Sequence, residues 1–531
     1  MFGQVSITYT VSPWGKFGEF LPQSDSKSLV LIAPLAPLSY GTNVIDLCRS
    51  NSLKGGREFL LALAGLVVFS VAAFDVQGQE LSVRFTVDAS TPSRLKVEGN
   101  YAPGTDHWVF PNTYGRVIGL GERIKNLSLS NSDGRSLVLR KRSPGEFAAD
   151  RSASRFSYEM DLSPPSRSAD AAHVSWLTAQ HGYLMLADLL PDFGVTSLKV
   201  EFALPPSWLL TSSAEPASQG SFQLSGKSNA VFFIGDDLSK KSKRVGATNI
   251  TLVTAGEWLF SRDDALERAA RIIKEYSART RFDLKRPVTV MLAELPGEAD
   301  NKGWAAETRG QNLILLANRS RAAKFSLGQL SVVLCHELLH LWVPNALSFS
   351  GDFDWFFEGF TLYQALSTAV RLGYVDFQEY LNTLSRVYGS YLASAELGKL
   401  SLIEASHRRW TSGAALVYDQ GMLLAFLVDL KLRMDGRNAS SLDSVYQQLL
   451  RQHSAAKDVD GNEAVTELIA RLTGDQFFKR SIETPITIDL KQLLTPYGMS
   501  VSDDGKLQII EPLHDDQRTL LRSLGYRKSR K

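Results

Sequence analysis

A chain of 531 residues is too long for one compact core, and about two to four domains are expected. An apolar fraction of 44% with 21% charged residues excludes an intrinsically disordered chain. Fifty-eight basic against 56 acidic residues, with no dense Lys/Arg run, exclude a basic nucleic-acid surface, and two cysteines, Cys48 and Cys335, exclude a disulfide framework.

The first legible element is the run FLLALAGLVVFSVAAF at 59–74, sixteen residues without charge. Lys54 and Arg57 precede it, Glu58 is the one discordant charge, and the small residues of SVAA (70–73) and VQG (76–78) follow. That is the layout of a secretory signal peptide, and the run is short for a bilayer span. A buried core helix or an uncleaved signal-anchor also fits it. A mis-assigned start explains the depth of the signal in the chain. Translation would then begin near Leu53, with 1–53 an N-terminal extension and 54–78 a signal peptide or membrane anchor. Residues from 79 onward are expected to be extracytoplasmic, periplasmic or secreted, with membrane contact only through 59–74 if uncleaved.

Between 79 and 257, short alternating apolar runs are broken by Gly, Pro, Asn and Ser, as in LSVRFTVDA (81–89), RLKVEGNY (94–101), SLKVEFAL (197–204) and AVFFIG (230–235). Period-two alternation with such punctuation predicts a β-sandwich-like domain, with SPPSRSADAA (163–172) a surface loop. The pattern changes near Ser261. DDALERAARIIKEYSART (263–280) has apolar residues at helical spacing and opens on Asp, an N-cap signal. PVTVMLAEL (287–295) and NLILLA (312–317) then read as strands. Helices are expected at 328–342, 355–372, 376–394, 413–434, 441–453 and 462–472. The division is therefore a β domain at 79–257, an α+β catalytic domain at 258–372, a helical domain closing the cleft at 373–500, and a charged C-terminal tail at 501–531 with no legible element.

Within SVVLCHELLHLW (331–342) stand His336, Glu337 and His340. Residues four apart share one helix face, so both imidazoles can address one metal, and Glu337 sits beside that face. Zinc lowers the pKa of its water toward about 7, and a neighbouring carboxylate is matched to move the proton. The competing reading is a buried helix whose histidines find polar partners. Two His and a Glu among Val, Leu and Cys are costly to bury unpaired. A third ligand is available in DFDWFFEGFTLYQAL (352–366), where Glu358 stands alone among Trp355, Phe356, Phe357 and Phe360. Two His and one Glu leave a fourth position open, as in catalytic rather than structural zinc sites. Cys335 is turned about 100° away on the helix and reads as a small core residue.

These residues resemble the glycyl-aminopeptidase-type gluzincins, zinc metallopeptidases related to the membrane-alanyl-type aminopeptidases. The shared pattern is HELLHLW with Trp342, then Trp355, Glu358, Gly359, Phe360, Thr361 and Tyr363 of W-x-x-EGFT-x-Y. SLIEAS (401–406), YDQGMLLAFLVDLKLR (418–433) and SLD (441–443) continue it. The resemblance spans roughly 80–500 and is specific over 330–445. It implies a thermolysin-like catalytic domain, one Zn2+ per chain on His336, His340 and Glu358, and Glu337 as general base. Tyr418 would support the oxyanion and a peptide would be the substrate. The family's strand that reads the substrate amino terminus corresponds here to GWAAETRGQNLILL (303–316), where the resemblance puts Glu307 at the acidic, substrate-binding position. Its surrounding motif is lost, and no C-terminal PDZ domain fits in this chain. His407 and the pair Arg408–Arg409 read as surface residues on a solvated face. The function expected is a zinc-dependent aminopeptidase. An endopeptidase of the same mechanism and a non-catalytic zinc-bearing scaffold are the alternatives.

Overall fold

The computed structural model describes residues 79–226, 229–296, 303–318, 323–436, 438–454 and 459–527. The N-terminal extension, Cys48 and the apolar run at 59–74 lie outside them. Among the described residues no helix is long and apolar enough to cross a membrane. The architecture is mixed α/β, with stacked sheets followed by a helical region, as the alternation and its switch to helical spacing predict.

An eight-stranded sheet opens the described chain. Its order is Pro216–Ser218, Ser221–Ser225, Ser197–Ala203, Glu80–Val87, Arg94–Val109, Glu146–Asp161 and Ile124–Ser130, with Leu139–Ser143 also paired to Glu146–Asp161. All pairs are antiparallel except Glu80–Val87 with Ser197–Ala203. In Glu80–Val87 the residues Leu81, Val83, Phe85 and Val87 are buried and their neighbours are not, so one face builds the core.

A four-stranded sheet (Leu209–Thr211, Val231–Gly235, His181–Met185, Trp176–Leu177) lies between that core and the next layer. Leu184, Phe232 and Ile234 join the core of the large sheet. Their neighbours Tyr183, Met185, Val231 and Phe233 point the other way, onto Val253, Met291, Ala293, Ile314 and Leu316. A strand covered on both faces must be apolar at every position, which accounts for VFFIG at 231–235.

The third layer is a five-stranded sheet ordered Leu238–Val245, Thr248–Ala255, Val288–Glu294, Asn312–Ala317 and Trp304–Arg309. Its first two strands precede the division placed at 257 from the change of apolar period, and they hydrogen-bond into the sheet beside the candidate site. Ile250, Leu252, Val290, Leu313 and Leu315 on its far face meet the helices Arg262–Thr280 and Ala323–Leu339 in the largest core. The first helix is capped by Ser261, whose side chain accepts from the Asp264 amide at 3.0 Å, rather than by an aspartate.

Two stretches differ from the sequence reading. In 163–172, the second half forms a short 3-10 turn, Ser168–Ala172, whose Ala171 and Ala172 are fully buried in the core that backs the five-stranded sheet. The charged tail also carries regular elements within its described residues, which end at 527. It forms a hairpin of Met499–Val501 with Leu507–Ile509 and a helix, Asp515–Ser523, that buries Leu520 and Leu521 in the main core. Only a short apolar stripe in a charged stretch marked that helix, too brief to stand out as a period.

The helical region explains why its motifs occur together. Asp429 accepts from Tyr363 Oη at 2.7 Å, Arg433 Nε at 2.9 Å and the Leu442 amide at 2.7 Å. One buried carboxylate thus ties the EGFT-x-Y, DL-x-x-R and SLD segments to each other, and the charge is offset by Arg433 within hydrogen-bond reach. The SLIEAS segment is a capping box. Ser401 Oγ accepts from the Glu404 amide at 3.1 Å, and the Ser401 amide donates to Glu404 Oε2 at 2.8 Å.

Candidate metal centre

His336 and Glu337 lie in the last turn of the Ala323–Leu339 helix, with His340 one residue beyond it. Glu358 comes from the turn Trp355–Phe360, a wider π-helical turn leading into the helix Thr361–Arg371. Tyr418 lies in a second π turn, Leu416–Gln420, which leads into Gly421–Asp435. Helical spacing predicted both segments as regular helix. The π turns are local widenings of the kind that gather at functional sites, and no apolar period announces them.

Among the described residues, His336, His340 and Glu358 form a group whose ligand atoms all lie within 4.8 Å of one another. His336 Nε2 and His340 Nε2 are 3.1 Å apart, and Glu358 Oε2 is 3.4 Å from the first and 3.8 Å from the second. Ligand atoms about 2.1 Å from one tetrahedral ion are separated by about 3.4 Å, so the spacing fits a single small cation. Nδ1 of His340 lies 3.0 Å from the Val343 carbonyl, which only an N–H can satisfy, so its Nε2 carries the lone pair. Two imidazole nitrogens and a carboxylate oxygen that face one point can share one small cation. The donor set therefore fits a divalent metal. Nδ1 of His336 is buried without a hydrogen-bond partner.

The electrostatics favour the ligand forms of Glu358 and His340, an ionised carboxylate and a neutral imidazole. Burial pushes the Glu358 carboxyl up, but Arg409 and the two imidazoles outweigh it and hold it well below the carboxylate range. Burial lowers His340 below its ordinary value. At His336 burial acts the same way, but the Glu358 hydrogen bond and the charge of Glu337 draw it up. Burial raises the Tyr418 phenol, with the Glu358 charge adding to it, so Tyr418 stays a protonated donor.

Glu337 is held from the edge strand Trp304–Arg309. Thr308 Oγ1 lies 2.8 Å from its Oε2 and 2.9 Å from its backbone carbonyl. Glu307, the next residue along the strand, points to the opposite face, as neighbouring strand residues must. There it accepts from Tyr114 Oη at 2.6 Å and Arg309 Nε at 2.9 Å, and also bonds His173 Nδ1. Burial would raise its carboxyl, but His173 and Arg309 outweigh that and hold it below the ordinary value. The residue expected to read the substrate amine is already compensated by partners within the chain.

Arg409 corrects the sequence reading. His407 and Arg408 are exposed as expected, but Arg409 is not on a solvated face. Its Nη1 donates to Asp354 Oδ1 at 2.5 Å, and its Nη2 donates to Glu358 Oε1 at 2.7 Å and to Tyr418 Oη at 2.8 Å. Trp410 covers it, with the guanidinium carbon 4.4 Å from the ring centroid. An Arg-Arg pair followed by Trp gives no periodic cue, and the two carboxylates lie 55 and 51 residues upstream. Thr308, Tyr114 and His173 went unrecognised for the same reason, since each meets its partner only through tertiary contact. Cys335 is buried, as expected of a core residue.

No protein-family model matches the chain, and no curated protein matches it by sequence. Solved structures do match by fold. An aminopeptidase N family protein from Idiomarina loihiensis is similar with a TM-score of 0.69 at 18% identity, covering 80% of this chain and 79% of its own. An M1 zinc metallopeptidase from Deinococcus radiodurans, a point mutant bound to a Tyr-Ser-Ala substrate, is similar with a TM-score of 0.51 at 14% identity. That match covers 78% of this chain and 95% of its own. The chain therefore shares the multidomain fold of the M1 zinc metallopeptidases.

Proposed function

We propose that this chain is a zinc-dependent peptidase. The observation that carries the reading is the convergence of His336 Nε2, His340 Nε2 and Glu358 Oε2, with the Glu337 carboxylate on the same helix. His336, His340 and Glu358 would hold the metal, and a zinc ion supplies a Lewis acid that lowers the pKa of water toward about 7 and polarises a carbonyl. Glu337, oriented by Thr308, takes a proton at its carboxylate and returns it to the leaving amine. Tyr418 donates its hydroxyl to the oxygen on which charge develops. The substrate-bound neighbour supports a peptide substrate for this chain.

Action at a free amino terminus is the narrower form of this reading, and the name of the aminopeptidase N neighbour supports it. The compensation of Glu307 by Arg309, His173 and Tyr114 favours a second reading, in which blocked peptides are also cleaved. Extracytoplasmic action follows if 59–74 directs export.

The test is cleavage of short peptides, each with a free and a blocked amino terminus, by wild type and Glu337→Gln, with and without a zinc chelator. The Gln variant is expected to keep its metal and lose about 100-fold or more of the activity. Wild-type turnover by the Gln variant would sink the mechanism, and chelator-resistant cleavage would sink the metal.

A further inference from the structure

Among the described residues, the guanidinium of Arg409 is the one group that touches both a candidate metal ligand and the candidate oxyanion donor. It sits in the bend between the short helix Leu402–His407 and the π turn of Tyr418. That bend is fixed from both sides. The Trp355 amide donates to Ser406 Oγ at 3.0 Å, and a Cβ on Gly413 would come within 2.1 Å of the Ala405 carbonyl oxygen. The backbone therefore places Arg409 before its side chain makes any contact.

Two consequences follow from the bonds of Nη2. Glu358 Oε1 is engaged at 2.7 Å, so Oε2 is the oxygen presented to the imidazoles. The Tyr418 oxygen accepts at 2.8 Å, so the phenolic hydrogen must point elsewhere, and among the described residues no acceptor takes it. The Nε of Arg409 is meanwhile buried without a partner. A cation placed for stability alone would be expected to satisfy that donor. A lysine has one compact charge and cannot serve Asp354, Glu358 and Tyr418 with a planar fork.

We propose that Arg409 is a positioning residue, holding Glu358 to one-oxygen contact with the imidazoles and turning the Tyr418 hydroxyl hydrogen toward substrate. The second half rests on the peptidase reading; the first does not.

The experiment compares wild type, Arg409→Met, Arg409→Lys, Tyr418→Phe and the Arg409→Met/Tyr418→Phe double variant. Each is assayed with zinc, its metal content measured, and each is also loaded with Co2+ for its visible spectrum. Arg409→Met is expected to lose about 30-fold in kcat per bound zinc with KM changed less than about threefold. In the Tyr418→Phe background the same change is expected to cost clearly less than about 30-fold, because the part that acts through Tyr418 is already lost and only the part through Glu358 is left. The Co2+ spectrum of Arg409→Met is expected to change, since a freed Glu358 Oε1 alters the ligand set. Independent, multiplying kinetic losses would overturn the Tyr418 half, and an unchanged Co2+ spectrum would overturn the Glu358 half. If Arg409→Met does not fold, Arg409→Lys carries the comparison, and wild-type kcat and spectrum from it would overturn the proposal. Should folded, zinc-loaded wild type cleave no peptide, the peptidase reading fails with the Tyr418 half, while the spectra still decide the Glu358 half.

Discussion

Gly359 and Gly421 meet backbone to backbone. A Cβ on Gly359 would lie 2.5 Å from Gly421 Cα and 2.6 Å from the Val417 carbonyl oxygen, and a Cβ on Gly421 would lie 2.6 Å from the Trp355 carbonyl oxygen. These glycines follow Glu358 by one residue and Tyr418 by three, so the contact sets how closely the third ligand and the candidate oxyanion donor approach. Rigid backbone, not a flexible side chain, blocks each position. Gly359→Ala and Gly421→Ala are each expected to lose about 1–3 kcal/mol or more of stability and to bind zinc less completely. Thermal melts with zinc stoichiometry check this, and a wild-type melting temperature in either variant would contradict it.

Thr308 is the only link found between the edge strand and the Glu337 carboxylate among the described residues. Removing its hydroxyl is expected to leave the fold intact and to let the carboxylate rotate. Thr308→Val is expected to retain zinc and lose about tenfold in kcat, the scale of one hydrogen bond to a charged group. Thr308→Ser should restore most of that loss. Equal kcat in Val and wild type would remove Thr308 from any positioning role.

What the sequence made legible follows from how local each signal is. His336 and His340 share a helix turn, and Glu358 betrays itself as one acid among Trp355, Phe356, Phe357 and Phe360. Most helices and strands were legible from their periods. Tyr418 was visible only through resemblance, because a tyrosine on an apolar helix is ordinarily core. Arg409 and Thr308 carry no local signal, since the carboxylates they bond, Glu358 and Glu337, are 51 and 29 residues away respectively. The strands Leu238–Val245 and Thr248–Ala255 fall within the β domain expected at 79–257, but their sheet was not legible, for alternation fixes which residues face together and not which strand lies beside them.

Glu307 joins three elements through one carboxylate, with Tyr114 from the short strand Thr113–Tyr114, His173 from the end of the turn Ser168–Ala172 and Arg309 from its own strand. Glu307→Gln leaves the buried Arg309 without its counter-charge. The expected result is a loss of about 3–5 kcal/mol in stability. The ratio of free-amine to blocked-peptide cleavage is expected to stay within about threefold of wild type, because the carboxylate is already compensated. Urea unfolding and paired kcat/KM values test both parts. A ratio collapsing toward the blocked peptide would assign amine recognition to Glu307.

Asp419, next to Tyr418, is buried with Ser390 as its partner, the serine hydroxyl donating to Oδ2 at 2.6 Å. Burial raises its carboxyl from 3.8 to about 6, and the single hydrogen bond only partly offsets that. Between these values the folded chain holds a proton that the unfolded chain has released. The contribution to stability therefore falls as pH rises through that window and is fully lost above about 6, a cost of about 3 kcal/mol at most. An asparagine side chain at this position has the same shape and can still accept from Ser390, but it never ionises. The substitution Asp419→Asn is expected to stabilise the metal-free protein by about 1–3 kcal/mol at pH 7.5, with little or no gain at pH 4. Urea unfolding of both proteins in chelator at the two pH values measures the difference. A gain of equal size at both would mean that the carboxyl titrates as it does in water and that the benefit of the amide has another source.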